Sequence, residues 1–161
     1  MIDPHAPRRA APRGRTRRTG HRSARSPQDA ERRSALEAVA AEAADQHVPA
    51  GEAAFAFACY DDGYLALAIN GVVERRSGER LAGIFRDVRT LGRHELDIEL
   101  TGLVRSSTSL LQFLGHLRLQ QVASCGRLQL HHPPADLVTA LGEAYPDELT
   151  IHRARPPVRA L

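Results

Sequence analysis

Four hydroxyl residues in a row, Ser106, Ser107, Thr108 and Ser109, stand between the apolar pair Leu103-Val104 with Arg105 and the pair Leu110-Leu111. A hydroxyl run ahead of an apolar, helically spaced stretch supports two kinds of chemistry. Its oxygens accept hydrogen bonds from the free amides of the first helical turn. An exposed member also accepts a phosphoryl group, whose added negative charge is favoured by the positive end of the helix. Such a modification preserves a fold while changing what can dock on it.

Other reactive residue types are present but are not arranged for chemistry. Of the eight histidines, His131 and His132 are adjacent, so in a strand they point to opposite faces and cannot chelate together. His94 and His116 have no carboxylate or thiol four residues away, and no metal site is expected. The chain has no Gly-x-Ser-x-Gly elbow, no Walker loop and no Gly-x-Gly-x-x-Gly turn, so neither an enzyme nor a cofactor is expected. The alternating acids Glu95, Asp97 and Glu99 read as a solvated or helix-end strand face. Cys59 and Cys125 are isolated in sequence, which suits half-buried thiols in a reducing, cytoplasmic compartment. The pairs Arg8-Arg9 and Arg17-Arg18 are followed by Ala, Pro, Gly and Thr rather than the apolar run of a secretion signal.

The elements that must hold the hydroxyl run follow from hydrophobic period. Ser26-Pro27, followed by Asp29 and Glu31, opens a helix to about His47. Its apolar face, Leu36, Val39, Ala40 and Ala43, is narrow and leans on the domain or on a partner. Beyond Pro49 and Gly51 the period becomes two: Phe55, Phe57 and Cys59, a turn at Tyr60–Gly63, then Leu65, Leu67 and Ile69 form a strand pair. After a bend at Asn70-Gly71, Ser77 caps a helix carrying Leu81, Ile84, Phe85 and Val88. Leu96, Ile98 and Leu100 then mark the clearest strand.

Leu110, Leu111, Leu114, Leu117 and Val122 recur with a helical period, with Ser109 and Gln112 as a capping box and Ser106, Ser107 or Thr108 as alternative caps. Cys125-Gly126 ends that helix as a left-handed cap. Residues 127–130 form a short strand, and His131-His132-Pro133-Pro134 stops it. A last helix carries Leu137, Ala140, Leu141 and Ala144, and Leu149–Ile151 adds a final strand. This order predicts one α/β domain in which helices pack on the buried face of a mixed four- to five-stranded sheet.

The 161 residues suffice for one domain with an extension. An aromatic content of 4% without Trp excludes a base-stacking surface, and no apolar run approaches the roughly 18 residues of a membrane span. The net charge of +3 is unevenly spread: residues 1–33 hold ten Arg against three acids, a net +7, while the other 128 residues carry 12 Arg against 16 acids, a net −4. Four regions are therefore expected: a disordered basic tail over 1–33, a helical linker over 34–51, the domain over 52–153 and a flexible end over 154–161. The tail, through Arg8, Arg9, Arg13, Arg15, Arg17 and Arg18, is the one segment suited to weak contact with nucleic acid.

From Phe55 to Ile151 the chain resembles a STAS domain of the bacterial anti-sigma factor antagonist type. The resemblance rests on three stretches: Gly71-Val72-Val73; Leu96–Leu100 leading through Gly102-Leu103-Val104 to the hydroxyl run and Leu110; and Cys125–Leu130 with Pro133-Pro134. It implies a non-catalytic module that binds a serine-kinase anti-sigma factor and is switched off by phosphorylation within an Asp-Ser-Ser-Gly motif. On this chain the motif's Asp falls on Ser106, its serines on Ser107 and Thr108, and its Gly on Ser109. The acceptor implied is then Thr108, with Ser107 second, and Arg105, Ser106 and Ser109 serve for contact. A scaffold or sensory module that is never phosphorylated is the alternative within the same fold.

Overall fold

The computed structural model describes residues 26–92, 94–145 and 150–152, the last three by their backbone. The first helix, α1 (Pro27–Asp45), starts at a capping box: the Ser26 hydroxyl accepts from the Asp29 amide at 3.2 Å, and the Asp29 carboxylate accepts from the Ser26 amide at 3.3 Å. Two strands follow, β1 (Ala53–Cys59) and β2 (Tyr64–Val72), paired antiparallel across the expected turn. A 3-10 turn at Arg75–Ser77 leads into α2 (Gly78–Leu91), then β3 (Glu95–Glu99), the short β4 (Leu103–Arg105), α3 (Thr108–Ala123), β5 (Arg127–His131), α4 (Ala135–Ala144) and β6 (Thr150–His152). Strands β2, β3, β5 and β6 are successive parallel neighbours, β1 flanks β2, and β4 pairs with the end of β2.

Five strands form the expected mixed sheet, and the short β4, whose three residues are too few to show a period, is a sixth paired off its path with β2. One face carries Phe55, Leu65, Leu67, Ile69, Leu96, Ile98 and Leu130, and packs against Leu81, Ile84 and Val88 of α2, Leu110, Leu114 and Leu117 of α3, and Leu137 and Leu141 of α4. This is the larger core.

The opposite face is also covered. Ala54, Ala56, Ala66, Ala68 and Tyr64 meet Ala35, Leu36, Val39 and Ala43 of α1. Three polar tethers hold that helix along its length. The Tyr64 hydroxyl shares its one proton between the Arg32 carbonyl at 3.3 Å and Asp97 Oδ2, Asn70 donates to the Ala43 carbonyl at 3.4 Å, and Gln46 donates to the Phe55 carbonyl at 2.9 Å. Residues 27–33 are thus helical and docked, not part of a disordered tail, and α1 is a layer of the domain rather than a linker. The alanines of β1 and β2 leave room for a helix to approach, and that closeness supplies the burial its narrow stripe lacks. The tail arginines Arg8, Arg9, Arg13, Arg15, Arg17 and Arg18 lie outside the described residues, as does the segment 153–161.

Four local expectations change. Asp97 and Glu99 are buried, at 5% and 9% exposure, because the strand face that carries them looks toward α1 and not into water. Ser77 precedes α2 as expected, but its hydroxyl turns back to accept from the Glu74 amide at 3.3 Å and makes no cap. Cys59 and Cys125 are exposed rather than half-buried. His131 and His132 reach the same face of the sheet, since a φ of +53° at His132 bends the chain out of the strand's alternation.

At the end of α3, Cys125 takes the left-handed conformation with φ +54°, and the Gly126 amide donates back to the Gln121 carbonyl at 2.7 Å. A Cβ on Gly126 would lie 2.3 Å from the His94 carbonyl oxygen, so only glycine lets this cap pack against the loop before β3.

Candidate functional site

The hydroxyl run lies at the surface because both of its flanks are nailed down. On one side Leu103 is buried and β4 is clamped to the end of β2: the Gly71 amide donates to the Gly102 carbonyl at 2.8 Å and the Val73 amide to the Arg105 carbonyl at 3.0 Å. On the other side Leu110 is completely buried in the core. Between them the chain must cross the end of the sheet, and Val104 at 77% exposure, Arg105 and Thr108 face outward.

Ser107, not Ser109, is the N-cap of α3, and its carbonyl accepts from the amides of Leu110 at 3.0 Å and Leu111 at 3.2 Å. Its hydroxyl is buried and has no hydrogen-bond partner. Thr108 is the first helical residue, exposed, and no acid occupies the first turn, so the positive end of the helix is uncompensated there. Ser106 donates to the Asp136 carboxylate at the start of α4, at 3.3 Å. A carboxylate therefore stands beside the hydroxyl run although the run contains none. Ser109 is half-buried at one end of a groove between α2 and α3 that also includes Gly78, Phe85 and His116. The structure brings Arg105, Ser106, Thr108 and Ser109 together around one helix start, with Ser107 turned inward.

No family model matches the chain, and no curated protein matches it. Among solved structures it is similar to the anti-sigma factor antagonist SpoIIAA in its unphosphorylated form. The likeness covers 63% of this chain and 90% of that one at 13% sequence identity, with a TM-score of 0.53. The domain has a STAS-like fold. Within that fold the hydroxyl run occupies the strand-to-helix crossover between β4 and α3, on the same side of the sheet as the three core helices. No helix among the described residues is long and apolar enough to cross a membrane.

A second polar set, unexpected from sequence, lies on the opposite face of the STAS-like sheet. Tyr64, Asp97 and His131 come from three neighbouring strands, with the Tyr64 hydroxyl donating to Asp97 Oδ2 at 3.2 Å and His131 Nε2 lying 3.6 Å from the same oxygen. Burial, and then the Asp97 carboxylate, push the Tyr64 phenol far above its ordinary range, so it remains a donor. Glu99 is saturated. Its Oε1 accepts from the Leu100 amide, the Thr101 amide and the Thr101 hydroxyl at 3.0, 2.9 and 2.6 Å, and its carboxylate holds His132 Nδ1 at 3.0 Å. Among the described residues, no group of three or more His, Cys, Asp or Glu side chains is arranged to hold a metal ion. The period-two acids were the available signal, but alternation tells the two faces of a strand apart without saying what covers either.

Proposed function

We propose that this chain is a non-catalytic, cytoplasmic regulatory module of the anti-sigma factor antagonist kind, which docks on a serine-kinase anti-sigma factor through the start of α3. The observation that carries this reading is the position of Thr108: exposed, first in its helix, and at the crossover of a STAS-like fold. Val104, Arg105 and Ser106 extend the contact on one side, and Ser109 with the α2–α3 groove extends it on the other.

Phosphorylation is the switch in this reading. The kinase transfers the γ-phosphoryl of ATP to the Thr108 hydroxyl: the new P–O bond forms to Thr108 Oγ1, the bond from the γ-phosphorus to the bridging oxygen breaks, ADP leaves and the hydroxyl proton is released. The phosphate gains from the uncompensated helix start and sits near Arg105, so the fold tolerates it. It also places dense negative charge on the docking surface and next to Asp136, where a partner surface formed around a neutral hydroxyl is repelled. Ser107 is the poorer acceptor, since its buried hydroxyl cannot reach a kinase without opening the helix start.

The test is incubation of the protein with its cognate anti-sigma kinase and ATP, followed by intact-mass and peptide analysis. A single phosphoryl gain that maps to Thr108 and vanishes in Thr108→Ala is expected. Thr108→Glu is expected to lose capture of the kinase with an unchanged circular dichroism spectrum. Equal capture by both forms would remove the switch, and docking without any mass gain would make the protein a phosphorylation-independent scaffold.

A further inference from the structure

Strand β1 is an outer edge of the sheet, and its sequence, Ala53–Cys59, carries no charge, no Pro and no bulge. Those are the devices by which edge strands resist pairing with another chain. The Glu52 carbonyl and the Tyr60 amide turn toward β2, so by antiparallel alternation Ala53, Phe55, Phe57 and Cys59 turn their amides and carbonyls outward. We infer that β1 pairs antiparallel with β1 of a second copy of this chain, about a two-fold axis near Phe55, and joins the two sheets into one.

Charge complementarity selects a second copy as the occupant. Helix α2 runs alongside β1 in the same direction: the Arg80 guanidinium donates to the Ala53 carbonyl at 3.1 Å and lies 5.0 Å over the Phe55 ring, and two turns later Asp87 and Leu91 stand beside Phe57. A two-fold axis reverses that order in the second copy. Arg80 of each copy then faces Asp87 of the other, so the pair forms twice, whereas parallel strands would set like charges opposite one another. Both side chains are exposed in the single chain and free to meet across the axis.

Apolar surface at the same edge is left open. Phe57 is 48% exposed and Leu91 42% exposed, on a notch floored by Leu65, Ile84 and Val88. Under the two-fold, Phe57 lies beside Ala53 of the second copy and is withdrawn from water. Two side chains plug the edge of the single chain, Arg80 on the Ala53 carbonyl and Gln46 on the Phe55 carbonyl at 2.9 Å. Arg80 exchanges that neutral acceptor for the Asp87 carboxylate of the second copy, which is the stronger bond. Gln46 keeps its place, because a carbonyl oxygen has a second lone pair for the incoming amide. The groove between α2 and α3 opens on the other flank of α2, so this pairing is independent of the Thr108 reading.

The test is sedimentation equilibrium of the full chain over about 1 to 300 μM, the range in which a modest interface gives a measurable monomer–dimer equilibrium. Phe57→Asp is expected to raise the dissociation constant by about tenfold or more with an unchanged circular dichroism spectrum. Asp87→Arg, at an exposed helical position, brings like charges face to face and is expected to weaken the dimer by a similar factor even if Phe57→Asp disturbs β1; adding Arg80→Glu to it should restore affinity to within about threefold of native. A nitroxide on the exposed Cys59, with Cys125→Ser, checks the register: the two labels should lie about 20 to 35 Å apart by pulsed electron resonance. A monomer throughout, a dimer that Asp87→Arg or folded Phe57→Asp leaves unchanged, no restoration by Arg80→Glu, or a label separation outside that range each overturns the inference.

Discussion

Ser26 and Ser107 hold the same position in two helices and contribute differently to them. Ser26 spends its hydroxyl on the Asp29 amide and receives the reciprocal bond, whereas the Ser107 hydroxyl is buried and bonds to nothing. Ser26→Ala is therefore expected to lower stability by about 1 kcal/mol. Ser107→Ala, which removes an unpaired buried hydroxyl, should change it by less than about 0.5 kcal/mol in either direction. Urea denaturation midpoints with unchanged slopes check both. The spacing favours Ser109 with Gln112 as a capping box and leaves Ser106, Ser107 and Thr108 as alternatives, and what selects Ser107 is the burial of Leu110 three residues later, a tertiary fact. Gly71 is a different case: its φ of +93° and the Glu52 carbonyl oxygen, 2.5 Å from where a Cβ would be, leave no room for a side chain. Gly71→Ala should cost at least about 2 kcal/mol in the same measurement and loosen the β2–β4 clamp that positions Arg105.

At the scale of elements, α1 shows where sequence reasoning stops. Its existence and start were legible in Ser26, Pro27 and Asp29, because capping is local chemistry. Its docking was not, because the surface it meets is built from Ala54, Ala56, Ala66 and Ala68, residues that any scan for large apolar side chains passes over. Missing that cover, the reading left Asp97 and Glu99 in solvent, although the alternation that placed Leu96, Ile98 and Leu100 in the core was clear. Leu36 is the largest side chain that α1 inserts, and Leu36→Ala should cost about 2 to 3 kcal/mol, measured by urea denaturation. The same variant should be cut earlier by trypsin after Arg32 and Arg33, since both bonds become accessible when α1 lifts. Trypsin resistance equal to that of the native chain would mean that the polar tethers at Tyr64, Gln46 and Asn70 hold the helix without Leu36.

Across the whole molecule, the sheet separates two cores of unequal strength, and the candidate docking site and the Tyr64–Asp97–His131 set lie on opposite sides of it. The larger core ties α2, α3 and α4 to the strands through long aliphatic side chains, while the smaller ties α1 to them mainly through alanines. Buried area converts to stability roughly in proportion, so the two layers should open at different free energies. Hydrogen exchange resolves this. Amides of α1 are expected to exchange through a partial opening that leaves β2, β3 and β5 protected, and Leu36→Ala should accelerate exchange in α1 while those strands change much less. Leu114→Ala, in the larger core, should cost about 3 kcal/mol or more and accelerate exchange in every layer together, because loss of that core is loss of the fold. If Leu36→Ala instead accelerates β3 as much as α1, the two layers are one cooperative unit.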